Sequence, residues 1–260
     1  MESRFISAHG IGMRFGGTST AQPVLEALDL TVAPGAFVTL LGPSGCGKST
    51  LLKILGGLLE PTDGEISIGG RPPSEAVDRR QIGLVPQRPA LLPWKTALQN
   101  TCVLRDVATG KGRSAESLRA AENALALVGL QDAADKLPHQ LSGGMAQRVS
   151  IARALAMDPE ILLMDEPFGA LDAITRDEMN EKLAEIWAQT GKTIVFVTHA
   201  IGEAVFLSDT VHVMGADPGR LVKTLDIALP RPRDRDVFDD PVFTDYTSRL
   251  RDLLEPKATV

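Results

Sequence analysis

Gly42-Pro43-Ser44-Gly45-Cys46-Gly47-Lys48-Ser49-Thr50 is the stretch that decides the fold. It fits the phosphate-loop pattern: a glycine, four residues, then Gly47, Lys48 and a hydroxyl residue. Gly42, Gly45 and Gly47 let the backbone curl with its N–H groups pointing inward, where a side chain would block an approaching phosphate. Lys48 can bring a point charge to β- and γ-phosphates, and the Ser49 hydroxyl can ligate Mg²⁺. The run before it, Phe37 to Leu41, has the length and β-rich composition of a buried strand. The run after it, Leu51 to Leu55, is patterned as a helix that Gly56-Gly57 would end. Strand, glycine loop and helix N-terminus together make an anion site.

The whole chain sets bounds on this reading. Its 260 residues suit one large domain, or one domain with an inserted subdomain. Hydrophobic residues make up 43% and charged residues 23%, as in soluble globular proteins. A net charge of -6 weighs against a general nucleic-acid binder. Residues 1–10 lack a continuous apolar segment, so no signal peptide is expected. No apolar run approaches the ~18 residues needed to span a bilayer. Cys46 and Cys102 do not form a metal-ligand spacing, and a disulfide at Cys46 would hinder the loop. Two free thiols in a reducing compartment are expected.

Outward from the loop, the elements alternate between strands and helices. Phe5 to Ala8 is expected to start an edge strand that ends in a turn at Phe15-Gly16-Gly17. Phe15 is either a core or hairpin aromatic or one that stacks on a purine ring. Val24 to Val32 alternates as a half-buried strand, and Glu65 to Ile68, before Gly69-Gly70, reads as a hairpin strand. Gln81 to Val85 reads as another strand and runs into Gln87, which is either a solvated loop residue or a contact to a metal or water. Pro89 to Trp94 is an apolar loop that is buried in a monomer or, if exposed, forms a docking patch. Residues 90–158 look mainly helical. Ser114 is placed to cap one helix and Gly129 to end it. Ser142 caps another, where Gly143 and Gly144 offer free N–H groups to an anion or simply form a tight turn.

The second half carries the chemistry. Ile161 to Pro167 is an apolar run ending in Asp165 and Glu166. Alternation along a strand would point the two carboxylates to opposite faces, one toward a metal and one toward a water. Met179, Leu183, Ile186 and Trp187 form one apolar helical stripe. Thr193 to Thr198 is a buried strand with His199 at its end, on the side of the sheet where parallel α/β folds bind ligands. Val211 to Met214 is the last clear strand. The tail, including Arg231-Pro232-Arg233-Asp234-Arg235-Asp236, is polar and charge-mixed, with little room for a further regulatory domain.

Taken together, these stretches resemble the ATP-binding subunit of ABC transporters over nearly the whole chain. The phosphate loop, Gln87, Leu141-Ser142-Gly143-Gly144, Asp165-Glu166, Asp172 and His199 follow the family's order. The resemblance implies an α/β P-loop NTPase core with a parallel sheet, an N-terminal antiparallel β subdomain and an inserted α-helical subdomain. The core would take residues 1–89 and 159–230, the helical part 90–158 and the tail 231–260. It implies that ATP is held by Gly42, Pro43, Ser44, Gly45, Cys46, Gly47, Lys48, Ser49, Thr50 and Gln87, with Phe15 on the adenine. Mg²⁺ would meet Ser49, Gln87 and, through water, Asp165. Glu166 would polarise the attacking water and His199 would contact the γ-phosphate. Ser142, Gly143 and Gly144 would bind the nucleotide of a second copy in a head-to-tail homodimer, with Asp172 coupling the two sites. The family's motif usually continues with glutamine, and Met145 stands there instead, a change that leaves the serine and glycines in place.

Finer likeness is to importers of the nitrate/sulfonate/taurine group, in the stretches starting at Leu91, Met164, Thr198 and Pro218. It implies a peripheral subunit on the cytoplasmic face of a bacterial inner membrane. A separate permease would meet it near Leu91, Leu92 and Trp94, with a substrate-binding protein outside the membrane. A DNA-repair ATPase of the wider class is disfavoured: the stretch between Thr50 and Leu141 is too short for a long coiled coil and holds no CxxC pair. A non-hydrolysing scaffold is disfavoured by Lys48, Asp165, Glu166 and His199.

Overall fold

The computed structural model describes residues 5–16, 22–110, 112 and 114–255. Gly17, at the end of the turn expected after Phe15, lies outside the described residues. In chain order the elements are β1 (Ile6–Arg14), β2 (Pro23–Val32), β3 (Phe37–Leu41), α1 (Lys48–Leu55), β4 (Asp63–Ile68), α2 (Pro73–Asp78), β5 (Ile82–Val85), α3 (Ala97–Thr109), α4 (Ala115–Leu127), α5 (Gly143–Leu155), β6 (Ile161–Asp165), α6 (Ala173–Thr190), β7 (Thr193–Thr198), α7 (Ile201–Leu207), β8 (Thr210–Gly215), β9 (Arg220–Asp226) and α8 (Pro241–Leu254). They form two compact units, Met1–Arg79 with Gly191–Val260, and Arg80–Thr190.

In the first unit β3 lies between β7 and β8 and runs parallel to both, with β9 antiparallel beyond β8. Every residue of β3 and β7 is buried, which is why both read as continuous apolar runs rather than alternating ones. The three-stranded antiparallel sheet is ordered β2-β1-β4. This corrects the expectation for Phe5 to Ala8: β1 is the middle strand, not an edge. Gly10, at φ +60, sits where the β1 register shifts, so a bulged strand reads in sequence as a strand that stops early. β4 pairs with β1 and not in a local hairpin. The Gly69-Gly70 turn closes only the Ile68–Arg71 bridge.

The segment after residue 215 departs furthest from its sequence reading. β9 follows β8 antiparallel, so Val211 to Met214 is not the last strand. In α8, capped by Asp240 through Val242 N–H, Phe243, Tyr246 and Leu250 are buried. Phe238 stacks on Phe206 at 5.3 Å and meets Phe243 edge-on at 5.0 Å. Arg233 is buried and donates to the carbonyls of Val205, Phe206 and Ser208 and to those of Ile227 and Leu229. A charged residue in a charged run reads as solvated. Here its fork of donors meets carbonyls at the end of α7 that the helix itself leaves unpaired.

In the second unit β5 and β6 pair in parallel, from Ile82–Ile161 to Val85–Met164. The helix starts follow the caps read from sequence. Ser114 Oγ accepts from Ser117 N–H at 3.0 Å and Ser142 Oγ from Met145 N–H at 3.2 Å. Gly129, after α4, has φ +67. Met179, Leu183 and Ile186 are buried along α6, with Trp187 half-buried beside them. Cys46 and Cys102 are both buried. No described helix is long and apolar enough to cross a membrane.

His212, on β8, gives the first unit a pH-sensitive point. Its ring is buried, Nδ1 is hydrogen-bonded to Thr224 Oγ1 at 2.9 Å, and Nε2 has no hydrogen-bond partner. Burial pushes its pKa down to about 4, against a smaller raising effect of Asp226. The unfolded chain therefore takes up the proton near pH 6.5 while the folded chain does not, so stability is fully present above that pH and falls toward pH 4. The expected loss between pH 7 and pH 4.5 is about 2–3 kcal/mol from this residue. Urea unfolding of wild type and His212→Gln at both pH values checks it: the wild type should lose more stability than the variant by that amount, and equal losses would show that His212 does not titrate this way.

Candidate functional site

In the first unit the phosphate loop joins β3 to α1. Leu41 is level with Thr198 in the parallel pair β3–β7, so the loop and His199 leave the sheet at the same edge. Gly45 and Gly47 have φ of +84 and +95, conformations that a side chain disfavours. Close packing imposes a further demand on two of the glycines. A Cβ on Gly42 would lie 2.6 Å from Met214 O, and one on Gly47 would lie 2.5 Å from Leu25 Cδ2. The glycines thus serve the packing beneath the loop as well as its open face. Cys46 is buried in the loop, while Pro43, Ser44 and Gly45 are exposed, and Ser49 and Thr50 are half-buried in the first turn of α1.

Lys48 is buried, and its Nζ donates to Gly42 O at 2.7 Å and Pro43 O at 2.9 Å. The ammonium is therefore held at the loop that a phosphate would enter, by two carbonyls that a phosphate can replace. Phe15, at the end of β1, is 52% exposed, which excludes the reading of a buried core aromatic. His199 is exposed at the end of β7. Behind it the buried Thr198 Oγ1 donates to Glu203 Oε2 at 2.5 Å and accepts from Ala200 N–H at 3.0 Å, so the backbone on either side of His199 is fixed.

In the second unit β5 and β6 end level with each other, which brings Gln87 and the Asp165-Glu166 pair to one edge. β6 ends at Asp165. Glu166 lies beyond it with φ +42, so alternation along a strand does not place its carboxylate, a correction to the opposite-faces expectation. Such a conformation costs about 1–3 kcal/mol in a non-glycine residue and persists only where its surroundings hold it. The following Pro167 and Phe168 are buried, and Gly169 N–H donates to Glu166 O at 3.2 Å. A Cβ on Gly169 would be 3.7 Å from Glu166 Oε2 and 3.9 Å from Gln87 Nε2, so the two side chains flank that glycine. Gln87 itself is exposed.

Ser142 and Gly143 are exposed at the start of α5, with Met145 half-buried behind them. Gly144 is packed instead: its Cβ would lie 2.6 Å from Thr175 Cγ2. This ties the start of α5 to the start of α6, where Asp172 Oδ1 accepts from Thr175 N–H at 3.0 Å. The hydrogen bonds from Thr175 hold the Asp172 carboxyl below its usual pKa. In the loop between β5 and α3, Leu91 and Leu92 are half-buried and Trp94 is 71% exposed.

One participant had no role in the sequence reading beyond marking a family resemblance. A Cβ on Gly219 would lie 2.3 Å from Cys46 O, and its N–H and carbonyl bond to Val24 O and Glu26 N–H, both at 3.0 Å. The β8–β9 turn thus backs the phosphate loop directly. Pro218-Gly219 announces a turn, but only the fold shows what the turn touches.

Residues 25–169 match the family described as ABC transporter. The chain is 43% identical to the bicarbonate transport ATP-binding protein CmpD of Synechocystis sp., over 96% of this chain and 89% of the relative. It is 44% identical to the aliphatic sulfonates import ATP-binding protein SsuB 1 of Xanthomonas axonopodis pv. citri, over 92% of each. It is 40% identical to the nitrate import ATP-binding protein NrtD of Synechococcus elongatus, over 96% and 91%. Among solved structures it resembles the ATP-binding cassette MJ0796 in a dimeric post-hydrolysis state bound to ADP and Pi. The TM-score is 0.75 and the identity 33%, covering 86% of this chain and all of that one. It also resembles cbiO1 of Clostridium perfringens, part of the ABC transporter complex cbiONQ, with a TM-score of 0.77 and 26% identity over 97% and 98%.

Proposed function

The chain belongs to the ABC transporter family, as an ATP-hydrolysing subunit of an importer, and on that premise we propose that the solute it helps to import is a small oxyanion. The observation that carries the solute class is the likeness, across nearly the full chain, to import subunits named for bicarbonate, nitrate and sulfonates. These solutes share one chemistry, a compact anion whose charge is spread over oxygens.

We infer the following roles for the residues. Phe15 presents an exposed ring to adenine, and the phosphate loop takes the phosphates, with Lys48 exchanging its two carbonyls for phosphate oxygens. Ser49, Gln87 and Asp165 offer a hydroxyl, an amide and a carboxylate, an oxygen donor set that fits Mg²⁺, which takes few protein ligands and fills its shell with phosphate oxygens and water. Mg²⁺ held by such donors would offset the charge that develops between the β- and γ-phosphates. Glu166 orients the attacking water and accepts its proton, and His199 contacts the γ-phosphate. Ser142, Gly143 and Gly144 address the nucleotide of a second copy, which is why two copies must close head to tail, and Asp172 couples the two sites. The permease docks on Leu91, Leu92 and Trp94 of the helical part, residues 90–158, with the subunit peripheral on the cytoplasmic face.

Uptake of labelled bicarbonate, nitrate, taurine and an alkanesulfonate, in cells lacking this subunit and in cells given it back, tests the proposal. Loss and recovery of one of these fluxes is expected. If none changes while the purified chain hydrolyses ATP, the oxyanion reading is wrong and the ATPase chemistry stands.

A further inference from the structure

The loop from Pro86 to Thr96 carries Gln87 near one end and Trp94 near the other, and side chains from two helices hold its carbonyls. From α5, the buried Gln147 donates to Pro86 O at 3.4 Å. The guanidinium of Arg153 donates to Pro89 O at 2.7 Å and Ala90 O at 2.9 Å, with a further bond to Ser150 Oγ at 3.3 Å. From α3, the buried Asn100 accepts from Leu92 N–H at 2.7 Å and donates to Leu92 O, Lys95 O and Thr96 O. Ala90 has φ +46, a strained conformation for alanine, and its carbonyl is one of the two that Arg153 grips. A planar fork suits two successive carbonyls, and a lysine ammonium does not reproduce it.

We propose that Arg153 is a positioning residue for Gln87. It fastens the Gln87 loop to α5, the helix that begins at Ser142 and Gly143, so that Gln87 keeps its place beside Glu166 and shifts whenever α5 shifts. The inference rests on the role given to Gln87 above. It differs from a purely structural role for Arg153 in one respect: the effect of removing Arg153 must pass through Gln87.

A double-mutant cycle on the purified full chain tests this, comparing wild type, Arg153→Met, Gln87→Ala and the double variant for kcat, KM for ATP and Mg²⁺ dependence. Arg153→Met is expected to lower kcat about tenfold and to raise the Mg²⁺ requirement, leaving KM for ATP within about twofold, since the cost is misplacement of one group. In the Gln87→Ala background it should cost nothing further. Losses that multiply, or a wild-type kcat in Arg153→Met, overturn the proposal alone. If Gln87→Ala leaves both kcat and Mg²⁺ dependence unchanged, the role given to Gln87 fails and the proposal falls with it. Arg153→Lys, which keeps the charge and stem, runs through the same cycle should the methionine variant fail to fold, with the same outcomes deciding.

Discussion

Glu166→Gln is expected to lower ATP turnover by about 10³-fold, the scale set by removing a positioned general base. The substitution keeps the shape of the side chain and removes the proton acceptor. The backbone at Glu166 is held at φ +42 by the buried Pro167-Phe168 turn and by the bond from Gly169 N–H, so an isosteric amide should occupy the same place beside Gln87. ATP binding should survive, because the phosphate loop contributes to it independently of the carboxylate, and unhydrolysed ATP should accumulate in a closed dimer. Phosphate release measures turnover, and light scattering during gel filtration with ATP measures the dimer. Hydrolysis at the wild-type rate would remove Glu166 from the reaction.

Lys48→Ala should act one step earlier, on binding. The lysine donates two hydrogen bonds to loop carbonyls and supplies the loop's ammonium. A charged hydrogen bond contributes about 1.5–3 kcal/mol, so its loss should weaken ATP binding on the order of 10²-fold. Thermal unfolding without nucleotide must be read alongside, since Gly42 O is buried and loses its donor in the variant. Titration of a fluorescent ATP analogue gives the affinity. An unchanged affinity would mean that Lys48 does not meet the phosphates.

Where the sequence read well, short-range physics was in control. A five-residue run that is apolar but for Thr39 reads as a buried strand or a buried helix turn, and the glycine loop after Leu41 resolves it. Ser114 and Ser142 cap because a hydroxyl three residues before a free N–H satisfies it locally. Where it read poorly, the partner lay far along the chain. β1 looked like an edge because Gly10 interrupts it, and its second neighbour, β4, comes some fifty residues later. The charged run from Arg231 to Asp236 read only as polar and charge-mixed because nothing nearby shows that Arg233 will cap α7.

The sequence by itself determined the local patterns on which the nucleotide reading rests: the phosphate loop, the strand-end carboxylates and the capped glycine turn at Ser142, whose residue types and spacing fit that chemistry. Only the tertiary structure decided how those residues are held. That Gly42, Gly47 and Gly219 are needed for close packing around the phosphate loop, that Glu166 stands in a left-handed turn, and that Arg153 grips the loop of Gln87 all depend on non-bonded atoms approaching within van der Waals or hydrogen-bond distance. Such distances are set by which elements fold against each other, and local sequence does not encode them.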